Sequence, residues 1–288
     1  MVRKAIVAGQ FYESDFNELQ EQIKQSFLHE KGPGALPIKK REKNILGIIG
    51  PHAGYFFSGA GAAWSFKEIA ESKFPDTYIM IGLSHSSFRS CVSLQDWETP
   101  FGVVKVDKAF GERLVRNSRL KEDEFAHSQE HSIEVQLPFL QYVNKDYLDK
   151  LRIAPIIASP DLKYTNLAES IKKIIQDLKR KVCIIASSDF THYGINYGYM
   201  PFTEDIKKNL YNLDNKAIEF IKKLDAYHFL EYTERTGATI CGKYPIAVTI
   251  DLCKMLGAKK ARLLQYYTSG DIINDYSSAV GYASIVFE

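Results

Sequence analysis

The run Val182-Cys183-Ile184-Ile185-Ala186-Ser187-Ser188 leads directly into Asp189-Phe190-Thr191-His192. Two other runs end in the same way. Asn44-Ile45-Leu46-Gly47-Ile48-Ile49-Gly50 meets Pro51-His52, and Tyr78-Ile79-Met80-Ile81-Gly82-Leu83 meets Ser84-His85. Short β-branched runs bounded by glycine and serine read as buried strands. In a mostly parallel α/β sheet, ligands bind in the crevice at the carboxyl ends of the strands. Parallel neighbours of this kind would bring three imidazoles and one carboxylate to a single pocket, a donor set suited to a metal or to acid–base work.

Outward from these runs the chain alternates strand and helix. Ser14 or Asp15 is placed to cap a helix whose Phe16, Leu19, Ile23 and Phe27 share one face. Gly32 to Pro37 breaks it. The small residues from Gly54 to Trp64 suit a turn into a closely packed helix that continues to about Glu71. Short strands are expected at Cys91–Leu94 and Val103–Val106. A helix is expected over Glu130–Tyr142 with a kink at Pro138. The strand Arg152–Ala158 contains Pro155, which suggests an edge or a bulge. Helices follow over Leu167–Leu178, Met200–Tyr232 and Cys241–Leu256, and Arg262–Tyr267 and Ala279–Phe287 read as closing strands. No repeat, low-complexity tract or composition shift marks a second domain. The expectation is therefore one α/β domain over residues 1–288, with a central mixed, mostly parallel sheet flanked by helices.

Composition narrows the function classes. The 288 residues are 45% hydrophobic and 25% charged with a net charge of +2, which argues against a dominant nucleic-acid or membrane-surface role. No apolar run approaches the roughly 18 residues a membrane helix needs. The start of the chain has Arg3 and Lys4 but no apolar stretch of the signal-peptide type. Lys39-Lys40-Arg41 with Lys43 reads as a solvated loop. The four cysteines, Cys91, Cys183, Cys241 and Cys253, form no CxxC pair, so neither a zinc-finger framework nor a disulfide scaffold is indicated, and a reducing cytoplasm is the simplest setting.

The chemistry-bearing residues fall in a few places. His52 lies between Pro51 and Gly54, which let the backbone turn sharply and aim the imidazole at a cavity. His85 has the same placement. Asp189 and His192 are three apart and would share a face in a first helical turn, where Asp189 could equally be an N-cap. His127-Ser128-Gln129-Glu130-His131-Ser132-Ile133-Glu134 is the densest polar segment. Its histidines at i and i+4 suit zinc on one helix face, but the order HSQEH misplaces the glutamate of the HExxH motif. The segment reads equally well as a pocket wall or as a helix start with Ser128 as cap or Glu130 as a first-turn acid. Cys241, beside Gly242-Lys243-Tyr244-Pro245, is either a thiol activated at a helix N-terminus or a small buried residue. His29 and His228 lie on charged helical segments and read as surface residues. No P-loop, dinucleotide fingerprint or GxSxG elbow is present, and nothing marks Ser187 or Ser188 as a nucleophile.

At these residues the chain resembles the Memo family (mediator of receptor-driven cell motility; in prokaryotes, the AmmeMemoRadiSam system protein B). The matching stretches are Val7-Ala8-Gly9-Gln10-Phe11-Tyr12, Pro51-His52-Ala53-Gly54-Tyr55, Ser84-His85, Glu130-His131-Ser132-Ile133-Glu134, Ser187 to His192, and Thr239-Ile240-Cys241-Gly242. Together they span nearly the whole chain. The resemblance implies a fold similar to the class III (LigB-type) extradiol dioxygenases, which are non-haem iron enzymes. It also implies that His52, His85 and Cys241 occupy the family's metal-binding positions, with Asp189 and His192 in the same pocket. Functional partnership with AMMECR-like and radical SAM proteins is implied as well.

Three readings follow. In the first, Fe(II), or alternatively Cu, is held by His52, His85 and Cys241 in an oxidoreductase. Asp189 and His192 then move protons or orient a bound molecule, and His131 shapes the pocket as a further candidate catalytic residue. A thiolate in place of the carboxylate of the two-histidine facial triad means that ring-cleaving activity is not inherited with the fold. The second reading is a non-catalytic module whose cleft holds a peptide or small anionic ligand. The third is a Zn hydrolase using a metal-bound water.

Overall fold

The computed structural model describes residues 2–38, 40–86 and 89–288. Lys39 of the basic loop and Ser87 of the loop after His85 lie outside the described residues. In chain order the elements are β1 (Val2–Arg3), α1 (Phe16–Leu28), β2 (Gly47–Gly50), α2 (Tyr55–Glu71), β3 (Thr77–Gly82), β4 (Cys91–Val92), β5 (Asp96–Thr99), β6 (Gly102–Val106), α3 (Lys108–Asn117), β7 (Lys121–Glu122), α4 (Glu124–Ser128) and α5 (Gln136–Val143). There follow β8 (Arg152–Ile157), α6 (Tyr164–Leu178), β9 (Val182–Ser187), β10 (His192–Gly194), α7 (Ile206–Lys222), α8 (Ala226–Thr236), α9 (Lys243–Met255), β11 (Ala261–Thr268), α10 (Ser269–Ile273) and β12 (Ser278–Phe287).

One mixed sheet runs in the order β1-β5-β6-β8-β3-β9-β2-β12-β10, with β11 on β12 and β4 on β8. From β6 to β2 every pairing is parallel. The three histidine-bearing runs are therefore adjacent parallel strands, with β9 in the middle. Their registers match: Gly50 lies opposite Ser187, and Ala186 lies opposite both Ile49 and Ile81. All three thus end at the same level, and the residues just beyond them share one edge of the sheet.

Both faces of these strands are buried, which is why they read as continuous apolar runs. Ile49, Ile79, Ile81, Ile184 and Ala186 pack into the layer that includes α3, α6, α8 and α9. The alternate residues Ile48, Tyr78, Met80, Cys183 and Ile185 pack into the layer of α1, α2 and α5. Asp15 caps α1 by accepting hydrogen bonds from the N–H groups of Asn17 and Glu18, and Leu19, Ile23 and Phe27 are its buried face.

Several expectations are corrected. Pro155 does not mark an edge. It lies inside β8, and its carbonyl accepts from the Ser93 N–H, on the flank where β6 gives way to β4. The missing proline donor falls at that junction and breaks no ladder. The helix expected over Glu130–Tyr142 begins only at Gln136; Glu130–Val135 is a set of turns. Pro138 then occupies the first turn, where its absent N–H costs nothing and no kink is needed. The segment Met200–Tyr232 is two helices, α7 and the start of α8, parted at Leu224 with φ 55°. His192 opens the strand β10 rather than sharing a helical turn with Asp189. The elements β1, β5, α3, β7, α4, β10 and α10 have no counterpart among the expected ones.

The turns from Glu130 to Val135 lie directly over the end of β3, and Gly82 makes that possible. A Cβ at Gly82 would meet Ile133 Cγ1 and Ser132 Oγ at 2.6 Å each. Gly82→Ala is expected to destabilise the protein by about 1–3 kcal/mol, as overpacking of a filled interior does. Urea unfolding of both proteins at one pH checks this.

Candidate functional site

At the shared edge of β2, β3 and β9 lies a cleft of about 310 Å³. His52, His85, His131, Asp189 and His192 all line it. Cys241 adjoins it: its Sγ is 3.3 Å from His52 Nε2. The donor atoms of His52, His85 and Cys241 lie within 4.8 Å of one another. His85, Glu130 and His131 form a second such group.

The scaffold decides which imidazole nitrogen is available. Ser187 Oγ donates to the Ser132 carbonyl at 2.6 Å and accepts from Gln136 Nε2 at 2.8 Å. Its one proton is committed, so at 3.0 Å the His52 Nδ1–H must be the donor to it. His52 therefore presents an unprotonated Nε2. His85 Nδ1 lies 3.1 Å from both oxygens of Glu130, whose carboxylate also accepts the His85 N–H at 2.7 Å. That carboxylate takes two more backbone donors, the N–H groups of His131 and Ser132. His192 Nδ1 is 3.0 and 3.1 Å from the carbonyls of Phe190 and Thr239, so it too carries the proton. All three rings spend Nδ1–H on the scaffold and leave Nε2 as a lone pair, the arrangement in which histidine binds metals.

Charges are arranged to match. Burial opposes ionisation of Glu130, but the hydrogen bonds from His85 and the Ser132 N–H prevail and hold its carboxyl at about 2. The same pair raises the pKa of His85 against its own desolvation. His52, fully buried, is pushed down to about 4 by desolvation, only partly offset by Asp189, so its ring is neutral. His131 is likewise lowered by burial. Its ring stacks on His85 with centroids 4.6 Å apart and meets the edge of Phe11 at 4.8 Å.

Asp189 does not cap a helix. Its Oδ1 accepts the N–H groups of His52, at 2.8 Å, and Ala53, at 3.3 Å, which fixes the turn that aims His52 into the cleft. Its own N–H points to Cys241 Sγ at 3.3 Å. Cys241 precedes α9 by two residues, and the intervening Gly242 donates to Ser188 Oγ. A Cβ there would stand 2.4 Å from the Ser188 Cβ. The expectation of a thiol activated by the helix terminus is corrected: burial, and then the Asp189 charge, push the thiol well above its usual pKa. A positive ion would reverse that balance, since coordinated thiols are deprotonated outright.

The polar segment divides. Asp123, not Ser128, caps α4, and Ser128 closes that helix. Glu130 is not a first-turn acid but the partner of His85. His131 enters the cleft, whereas His127 is wholly buried beside Trp97, so the two do not form an i, i+4 zinc pair. Glu134 accepts from Arg3, from the N–H groups of Ile6 and Val7, and from the Tyr12 hydroxyl. Arg3 also donates to the carbonyls of His127 and Glu130. This buried network seats the N-terminal segment, and with it Phe11, against the cleft. Sequence reasoning missed Glu130, Ser187, Arg3 and Glu134 as supports. Nothing local in that polar segment named the partner of Glu134, 131 positions away.

The Memo-like protein family model matches residues 3–286. A MEMO1 family protein of Methanopyrus kandleri is 43% identical over 294 residues, covering 100% of this chain and 99% of the relative. MEMO1 family proteins of Sulfurisphaera tokodaii and Methanobrevibacter smithii are 41% and 39% identical, each over 100% of this chain and at least 99% of their own length. Among solved structures, an uncharacterized protein of Escherichia coli K12 superposes with a TM-score of 0.52 at 10% identity, covering 85% of this chain and all of that one. That likeness concerns the fold alone.

His127 offers a test separate from the cleft. Neither ring nitrogen makes a hydrogen bond. Burial, and then the Arg3 charge, lower its pKa to about 3, against a weak opposing contribution from the Cys91 backbone. Because the unfolded chain takes up this proton near the ordinary histidine value, its contribution to stability is present above about pH 6.5 and is lost as pH falls toward 3. His127→Leu is expected to be neutral or stabilising at pH 7 and to flatten the loss of stability between pH 6.5 and 4. Urea midpoints across that range check it.

Proposed function

The chain belongs to the Memo-like protein family, and on that premise we propose that it is a metal-dependent oxidoreductase whose ion, Fe(II) or alternatively Cu, is held by His52, His85 and Cys241. The observation that carries this reading is the donor set. Two imidazoles with their Nδ1–H groups committed elsewhere present Nε2 lone pairs beside a thiol, all within 4.8 Å. Two nitrogens and a soft sulfur fit a late first-row transition ion and leave coordination positions open. Such an ion would supply one-electron chemistry and polarise whatever molecule it holds.

The chain's own residues do the rest. Ser187 and Glu130 fix the orientation of His52 and His85, and Glu130 raises the basicity of His85. Asp189 holds the His52 turn through Oδ1 and keeps its second oxygen for the cleft. His192, pinned by two carbonyls, offers Nε2 as a proton acceptor. Phe11, Phe57 and Tyr282 supply apolar wall beside these groups. The zinc-hydrolase reading has less support, because no glutamate is among the described residues lining the cleft and Glu130 is already engaged. The anionic-ligand module also has less support, because no lysine or arginine is among those residues.

Protein loaded anaerobically with Fe(II) and desalted is expected to keep stoichiometric iron, and His52→Ala and Cys241→Ala to lose it. Equal trace metal in wild type and His52→Ala would sink the reading. Cobalt substitution gives a second check: a sulfur-to-metal charge-transfer band is expected in wild type and absent in Cys241→Ser. Glu130→Gln keeps the shape but removes the charge behind His85, and is expected to weaken metal binding about 10- to 100-fold. Chelator competition measures that ratio.

A further inference from the structure

The cleft has a second polar face that the proposed metal ligands do not use. It consists of Asp189 and His192, and both offer acceptors only. Asp189 Oδ1 is taken by two backbone N–H groups, while Oδ2 makes no hydrogen bond to the protein among the described residues. His192 has its Nδ1–H on the carbonyls of Phe190 and Thr239, so Nε2 is a lone pair. Two acceptors facing one cleft call for a ligand group rich in donors.

Charge points the same way. The Asp189 carboxylate faces the cleft and Glu130 lies behind His85, with no lysine or arginine among the described lining residues. An anion would enter against that field, whereas a cation would enter with it. Beside the hydroxyl residues Ser269 and Ser278, the wall carries Phe57, Tyr197, Val280 and Tyr282, with Tyr197 meeting the His192 ring at 5.1 Å. Aromatic faces beside a carboxylate suit an organic ammonium, which gains from both.

We propose that the cleft binds a primary amine carried on an aromatic-sized apolar body, its ammonium donating to Asp189 Oδ2 and His192 Nε2 and its body lying against Phe57, Tyr197 and Tyr282. This deepens the oxidoreductase reading and rests on it only for the amine being a substrate; recognition of the amine itself requires no metal.

The test titrates three probes of one size into the protein by calorimetry: 2-phenylethylammonium, neutral 2-phenylethanol and anionic 3-phenylpropionate. Each is measured with Fe(II)-loaded and with chelator-treated protein, and metal content is assayed on the same samples. The ammonium is expected to bind about tenfold or more tightly than either competitor in both forms, as a charge-assisted hydrogen bond warrants. Asp189→Asn, which retains Oδ1 as acceptor for the two backbone donors, is expected to bring the ammonium down to the level of the alcohol. His192→Phe keeps a ring but removes the acceptor, and is expected to reduce the preference independently. Equal or tighter binding of phenylpropionate to the metal-free protein, no binding of any probe, or a preference unchanged in both folded variants overturns the proposal. A surviving preference in protein that fails to retain iron would leave it standing and count against the metal reading alone.

Discussion

The parallel pairing of β2, β9 and β3 is the constraint on which the rest depends. Because Gly50, Ser187 and the end of β3 stand at one level, the loops that follow are forced to meet. Side chains alternate along a strand, so a slip of one residue in any of the three would exchange the two buried layers. Ile184 and Ala186 would then point at α1 and α2, and Cys183 and Ile185 at α6 and α9. Nearly forty buried residues on one side and almost thirty on the other oppose such a slip. The cleft inherits its geometry from a core that has no part in its chemistry.

Above that edge, precision comes from hydrogen bonds rather than from packing. Three of the four cleft imidazoles are each held by a different kind of acceptor: a hydroxyl for His52, a carboxylate for His85 and peptide carbonyls for His192. The carboxylate behind His85 raises its pKa, whereas burial lowers that of His52, although the residue type is the same. Glu130 shows the cost of such an arrangement. A buried carboxylate is tolerable only because two backbone N–H groups, the His85 N–H and the His85 ring all donate to it. Arg3 and Glu134 make a second buried pair, satisfied in the same way by donors and acceptors from residues 4–12 and 127–130.

How much of this the sequence discloses depends on distance along the chain. The three strands, their burial and the convergence of His52, His85 and His192 are legible, because apolar runs ending in glycine or serine are local signals. The helix α1 is legible from its periodicity, and α2 from its run of small residues, for the same reason. Pro155 misleads because an edge and a strand-to-strand junction present the same missing donor. Pro138 misleads because nothing local tells a helix that starts at Gln136 from one that starts at Glu130. The supports of the site are illegible in principle. Whether Glu130 caps a helix or holds His85 depends on a contact 45 residues away, and Cys241 stands 189 residues from His52. There the resemblance to a family supplies what spacing does not.

That last separation bears on the order of events during synthesis. His52 and His85 leave the ribosome with the first third of the chain, but β9, which lies between their strands in the sheet, follows about a hundred residues later, and Cys241 later still. Closing such long loops is slow and relies on the large β pairing being in place. A growing chain therefore exposes two unpaired imidazoles before it has Ser187 to orient His52 or Cys241 to stand beside it. An ion held there would be taken up only at the end of folding, and a chain interrupted before Cys241 would carry most of the sheet yet lack the sulfur of the proposed donor set.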